Sequence, residues 1–431
     1  MNRIEKTRLR LVKEGRKIIH LSSGNPNEFG IYFDRAILGK AYGKFLKAPA
    51  YEPDPKGSLT ARKAVARFYS DRGLKAEAEQ VILTSGSSES YFHLFKMLAK
   101  PGEKILFPRP SYPLFEEIAR LAEVETGFYN LDENAGWQID CENLESKIRA
   151  DVKAIVIISP SNPTGAVISE KTLRRVAELA AKHNLPIISD EVFSEYIFDG
   201  TQFPRLAGIT QKMGKNQPTV YTLNGLSKTY ALPGLKLSWI VVTGPQKEKY
   251  LDAIERSADA FLSTNQMSQV MAPDIIKSGQ PFIKTLNRHL QKNRDLAVNI
   301  LGKNPRIAFH IPEGGFYLFA KIRRSCGRIG SRLRTVGDGA PSCPKTICGL
   351  PTITTDEDFV IALMEKTGIF VHPGYFYDYD KGINILISLL PPAKVLAASL
   401  RKMAGVIQIV YMDWRRDLPR RGSSRMRTGR C

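Results

Sequence analysis

Lys228 stands in "GLSKTYALPGLK", in a loop just after "TVYTLNG", a run whose β-branched and apolar residues read as a strand. A lysine amine held at a strand end can join a carbonyl carbon or carry a proton, provided its surroundings lower its pKa. Four other features also fall at strand ends. Asp190 closes "LPIIS", a run so apolar that an unpaired carboxylate there would be costly, and it calls for a donor or a cation. Asn162 follows "AIVII" within "SPSNPTG", where Pro and Gly fix a turn that could aim its amide. Between "VILT" and the helical pattern "SESYFHLF" lie Ser85, Gly86, Ser87 and Ser88. Hydroxyls, backbone N–H groups and a helix N-terminus meet there, which suits a phosphate. Tyr112, after "KILFP", offers a flat face for stacking.

One ligand would account for all five features: a phosphate, a flat ring with a basic nitrogen and a hydroxyl, and an aldehyde. Pyridoxal 5'-phosphate has these parts, held as a Schiff base to a lysine with an acidic partner at its pyridine nitrogen. Each residue also has a plainer reading. A lone lysine is usually a solvated charge, and Tyr112 alone could be a core aromatic.

The elements that must position these residues follow from periodicity. From Val81 to Gly244, short β-branched runs alternate with amphipathic helical patterns, among them "SESYFHLFKMLAK", "SYPLFEEIARLA" and "SEKTLRRVAELAAKHN". That alternation predicts an α/β fold with a mostly parallel sheet flanked by helices, whose strand ends form the ligand cleft. "GGFYLFAKI", "GIFVHPG" and "INILISLL" read as strands, and "DEDFVIALMEKT" and "AKVLAASLRKMA" as helices, of a smaller α+β domain. The expected division is 1–50, an N-terminal segment packing with the small domain; 51–300, the large cofactor-binding domain; 301–407, the small domain; and 408–431, a basic irregular tail.

Taken together, "SPSNPTG", "SDEVF", "GLSKTYALPGLK" and "PAYEPDPKGSLTARKAVARFY" resemble the class I/II aminotransferases of the fold-type I pyridoxal-phosphate superfamily. The resemblance runs from Asn2 to about Met403, segment 323–355 excepted. It implies a sheet of the seven-stranded type, and a reaction that moves an amino group between an amino acid and a 2-oxo acid. On this resemblance Lys228 carries the cofactor and acts as general base, Asp190 pairs with the ring nitrogen, Asn162 bonds the ring hydroxyl and Tyr112 stacks. Gly86, Ser87, Ser88, Ser227 and Lys236 would hold the phosphate. Tyr51 would reach it from the partner subunit of a homodimer with shared sites. Gly24, in "SSGNPNE", would line the substrate carboxylate pocket; by itself it could be a turn glycine, and Tyr51 a surface tyrosine.

Three positions depart from the family pattern. Phe193 stands where many relatives have a tyrosine, and Lys236 where many have an arginine, so that a point charge replaces a fork. Leu386 takes the place of the arginine that grips the substrate α-carboxylate. Either another group binds the carboxylate, with His372, Tyr375 and Tyr377 as candidates, or the substrate lacks one there, or the alignment is displaced.

Charge and cysteine content bound the alternatives. The formal net charge is +20, and segments 323–355 and 408–431 supply half of it. Both are Gly-, Pro-, Ser- and Arg-rich, and read as irregular additions: a flexible insertion, a frame-altered stretch or a basic module. Five cysteines are too few for a disulfide scaffold. Cys326, Cys343 and Cys348 lack a fourth ligand at regular spacing, so no metal is expected. No apolar run approaches membrane-spanning length and the N-terminus is charged, which predicts a cytoplasmic protein. Two other readings compete: lyase or decarboxylase chemistry with the same cofactor, and a non-catalytic basic nucleic-acid-binding or interaction protein. Lys228, Asp190 and Asn162 argue against the last, and no nucleic-acid partner is expected.

Overall fold

The computed structural model describes residues 2–47, 51–200, 202–262, 264–323, 346–347, 350–351 and 353–412. The chain opens with α1 (Arg3–Lys13), β1 (Ile19–His20), α2 (Arg35–Phe45) and α3 (Leu59–Ser70). Strands and helices then alternate through β2 (Val81–Thr84), α4 (Ser87–Leu98), β3 (Lys104–Arg109), α5 (Phe115–Leu121), β4 (Glu125–Asp132), β5 (Gln138–Ile139) and α6 (Cys141–Lys147). The alternation continues with β6 (Val152–Ile158), α7 (Glu170–Lys182), β7 (Ile187–Asp190), α8 (Leu206–Gln211), β8 (Val220–Gly225), α9 (Leu226–Thr229) and β9 (Ser238–Thr243). Helices α10 (Lys247–Asp259), α11 (Gln266–Ser278) and α12 (Gln280–Leu301) lead to β10 (Ile307–Phe309) and β11 (Tyr317–Ile322). Last come β12 (Thr346–Ile347), β13 (Leu350–Pro351), α13 (Asp356–Thr367), β14 (Ile369–Phe370), β15 (His372–Pro373), β16 (Ile383–Ser388) and α14 (Ala393–Met412).

The large sheet runs β2-β9-β8-β7-β6-β3-β4-β5. From β8 to β4 its strands are parallel, while β9 is antiparallel to both neighbours and β5 to β4. A parallel sheet must be covered on both faces, and successive side chains here serve two cores. Ile155, Ile157 and Ile187 enter one apolar cluster, while Ala154, Val156 and Ile188 enter the other. Helix α7 shows how the cover is built. Ser169 caps it by accepting from the Thr172 N–H, and Leu173, Val176, Ala177 and Ala180 are buried on one face.

The smaller sheet is antiparallel, in the order β10-β11-β16-β15, and β1 pairs in parallel with β14. Helix α1 is tied to α13 by Arg3, which bridges Glu357 and Asp358. Helix α2 instead meets α11, where Lys44 pairs with Asp274 at 2.7 Å.

Several local expectations need correction. Lys228 lies in the single turn α9 rather than in a loop. The helix expected from Ser111 starts only at Phe115, because the Ser111 N–H is held by the Tyr377 carbonyl. "GIFVHPG" is split at Val371 into two short strands that serve different sheets. Strand β4, next to the short edge strand β5, escaped the pattern because one side is partly exposed and breaks the apolar run. Helix α14 continues to Met412, into the stretch read as irregular, and β12 pairs with β13 inside segment 323–355. Cys326, Cys343, Cys348 and Cys431 lie outside the described residues, as do positions 324–345 and 413–431.

Candidate active site

The ends of β6, β7 and β8, the turn into α4 and the start of β11 converge on one place. Asp190, the last residue of β7, is 8% exposed. Its partners are two donors: the Tyr91 hydroxyl gives a hydrogen bond of 2.7 Å to Oδ2, and the Val192 N–H one of 3.0 Å to Oδ1. Burial raises the carboxyl above its ordinary pKa, and these two donors and the nearby Lys228 charge pull it back.

Lys228 is held by a polar clip at the end of β8. Asn224 Oδ1 accepts from the Gly225 N–H at 2.7 Å and from the Thr229 hydroxyl at 2.9 Å, while its Nδ2 donates to the Glu191 carbonyl. The lysine Nζ donates to the Gly24 carbonyl at 3.0 Å. Burial lowers its pKa below the ordinary 10.5, against the opposing charges of Asp190 and Glu28. The neutral amine, which can accept a proton, is thereby favoured. In the cofactor-free chain this has a sign. Between the lowered value and 10.5 the unfolded chain keeps a proton that the folded chain has released, so stability rises with pH across that window. Lys228→Met is expected to flatten the rise, as read from urea midpoints taken towards pH 10.5.

Helix α4 begins without a side-chain cap, after Gly86 at φ +142°. A Cβ on Gly86 would lie 3.3 Å from Lys236 Nζ, so the open helix end and this cation face one another. The Ser87 and Ser88 hydroxyls have no hydrogen-bond partner among the described residues, whereas Ser85 is turned aside to the Thr264 hydroxyl and Glu89. Ser227 is half-buried beside Lys228. The Asn162 amide makes no hydrogen bond among the described residues, and its Oδ1 is fully buried. Tyr112 packs edge-on to Phe115, and Asp190 is near enough that its charge helps raise the phenol pKa. Tyr51 is apart from these, 54% exposed.

The positions flagged as departures are also placed. Phe193 is buried edge-on between Phe316 and Tyr317. Leu386 is 0% exposed in β16, opposite both Phe319 and His372. His372 Nδ1 lies 2.9 Å from the Tyr377 hydroxyl, and burial pushes the imidazole down to about 4, uncharged at neutral pH. Tyr375 is exposed, with its N–H bonded to Asp356.

With this geometry established, likeness to known proteins decides the family. The model for "Aminotransferase class I and II" matches residues 17–396. The chain belongs to this family. It is 33% identical over 407 residues to the glutamate-pyruvate aminotransferase AlaA of Haemophilus influenzae, covering 93% of each chain. To the alanine aminotransferase of Mycobacterium tuberculosis it is 30% identical over 405 residues, 92% of this chain and 87% of that one. Among solved structures it is similar to an aminotransferase from Escherichia coli, with a TM-score of 0.81, 27% identity and coverage of 94% and 95%. The alanine aminotransferase from Pyrococcus furiosus gives a TM-score of 0.81 at 25% identity, over 94% of this chain and 96% of that one. The protein is thus a transaminase of fold type I, moving an amino group between an amino acid and a 2-oxo acid. Neither the lyase nor the non-catalytic alternative is favoured. Among the described residues no helix is long and apolar enough to cross a membrane.

In this aminotransferase the site also contains residues that its sequence pattern did not single out. Tyr91 could have been found, since it lies four residues after Ser87 on an α4 face directed at the sheet. Asn224 is a polar residue inside an apolar strand, which is itself a signal. Tyr317 gives none, because it reaches Gly24 from the other sheet. Behind Asp190, Glu191 is fully buried and paired with Arg205, which also bonds Glu195 at 3.0 Å; Glu195 pairs in turn with Arg72 at 2.6 Å. Arg205→Met would strand the Glu191 charge in the interior. It is expected to cost about 3–5 kcal/mol, seen as a lower chemical-unfolding midpoint.

Proposed function

We propose that this aminotransferase works with pyridoxal 5'-phosphate attached at Lys228, and that glutamate and pyruvate are its amino donor and acceptor. The observation that carries the cofactor reading is the pairing of a buried carboxylate, Asp190, with a largely buried lysine amine of lowered pKa, beside an Asn162 amide that lacks a partner. The residues fit the group. Gly86, Ser87, Ser88 and Ser227 offer donors and Lys236 a positive charge for a phosphate, and Tyr112 would lie against the ring. When bound, the cofactor supplies an aldehyde carbon for an amine and a ring that withdraws electrons.

The chain's own residues do the rest. Lys228 Nζ accepts the proton from the substrate α-carbon and returns it. Asp190, fixed by Tyr91 and Val192 before any ligand arrives, holds a proton on the ring nitrogen at no reorganisation cost. Asn162 orients the ring through its hydroxyl. The glutamate and pyruvate assignment is supported by the names of the relatives, which act on these compounds or on alanine.

The same reading makes the enzyme a cytoplasmic homodimer, with residues 51–300 as the cofactor-binding domain and 301–407, together with the N-terminal segment, as the smaller one. Tyr51 would reach the partner's phosphate site. Exposed Leu46, Leu59, Phe261 and Leu262 supply apolar surface that a second subunit could cover. Alanine formation from glutamate and pyruvate, dependent on added cofactor, tests the function. Release of ammonia or carbon dioxide without amino transfer would instead favour the lyase or decarboxylase reading.

A further inference from the structure

Alternate residues of β11 and β16 form one wall beside the site. Opposed residues of an antiparallel pair project to the same face. Tyr317 with Ser388, and Phe319 with Leu386 and His372, therefore share it. Lys321 lies farther along that face, away from Tyr317, and is taken up by Glu133 at 2.8 Å. Near Tyr317 the wall is neutral, since His372 is uncharged and bonded to Tyr377.

Tyr317 stands at the end of the row nearest Lys228. Its hydroxyl lies over Gly24, the residue whose carbonyl accepts from Lys228. A Cβ on Gly24 would fall 1.9 Å from that hydroxyl and 3.5 Å from Lys228 Nζ, so only glycine leaves room for the contact. The tyrosine is 7% exposed, yet its hydroxyl has no hydrogen-bond partner among the described residues. The hydroxyl is not among the fully buried unpaired atoms; it keeps access to the cleft and is free to donate to a ligand that enters there. Burial, with Tyr112 and Glu28 nearby, pushes its pKa well up, so the group remains a donor.

We propose that the Tyr317 hydroxyl, over the Gly24 backbone, donates to the carboxylate of the amino-acid substrate and so takes the part that a cation at position 386 would otherwise play. This rests on the aminotransferase reading. Recognition is then by a neutral donor, and a carboxylate is bound without any free cation among the described residues of the wall.

The test uses the cofactor-loaded enzyme and two competitors of the amino donor, propionate and propylamine. Tyr317→Phe removes an oxygen that bonds nothing else in the described chain, so the fold should be kept. It is expected to raise the KM of the donor and the inhibition constant of propionate roughly ten- to hundredfold, leaving kcat within about threefold and propylamine unaffected. Unchanged propionate inhibition, or equal weakening by both competitors, would overturn the proposal. Gly24→Ala, whose Cβ displaces the hydroxyl, should likewise weaken propionate and not propylamine, whatever it does to kcat through Lys228, and the double variant should bind propionate no worse than the more damaged single one. Losses that multiply would place the carboxylate elsewhere. A wild-type protein that takes up no cofactor would defeat the aminotransferase reading instead, and is told apart by its lack of colour.

Discussion

Replacing Lys228 by alanine is expected to lower the amino-transfer rate on the order of 10⁴-fold or more, because one side chain serves both as attachment point and as proton carrier. The loss should fall on kcat, since the other cofactor and substrate contacts are untouched. The surrounding structure explains why a substitute is hard to find. The Asn224 clip fixes α9 to the end of β8, and the amine is aimed at the Gly24 carbonyl from a site where burial lowers its pKa. Water could enter the space left by alanine, but it would be neither positioned nor of suitable basicity. Single-turnover kinetics with the amino donor separate proton transfer from product release. A Lys228→Ala enzyme within a hundredfold of wild type would remove this lysine from the chemistry.

Asp190→Asn is the second large effect, with an expected loss of roughly 10²–10³ in kcat. Asparagine keeps the shape: its oxygen can still accept from the Val192 N–H, and its NH2 can donate to the Tyr91 hydroxyl, which turns to accept, so the fold and cofactor contacts should survive. It lacks the negative charge that would hold a proton on the ring nitrogen. The carboxylate is expensive to keep where it is: burial raises its pKa, and the chain supplies two donors to offset that penalty. Such an arrangement makes sense if a charge at this point is needed when the ring is present. A variant that retained activity within tenfold, measured at saturating cofactor, would show that the negative charge contributes little.

Why some of this was legible in the sequence and some was not has a physical basis. Lys228, Asp190 and Asn162 each follow a short apolar strand, and a polar group there must find a partner or a ligand, so type and position together carry the signal. The alternation that predicted the large sheet also reflects local physics, since parallel strands buried on both faces are largely apolar. Where several short-range choices compete, the reading weakened. Strand β4 alternates imperfectly, and a one-turn helix such as α9 has too few residues to show a period. Tyr317 could not have been found by spacing at all. Its relation to Gly24 and Lys228 exists only because β11 of one sheet comes against the strand ends of the other. Leu386 drew attention as a departure from a pattern; the register shows which neighbours share its face.

The central claim is that one particular lysine bonds to the cofactor. Reduction of the cofactor-loaded protein with borohydride, followed by digestion and mass spectrometry, tests it directly. A single pyridoxyl-phosphate adduct is expected, on Lys228, and none after Lys228→Ala. An adduct on Lys236, or a protein that carries no adduct under these conditions, would contradict it.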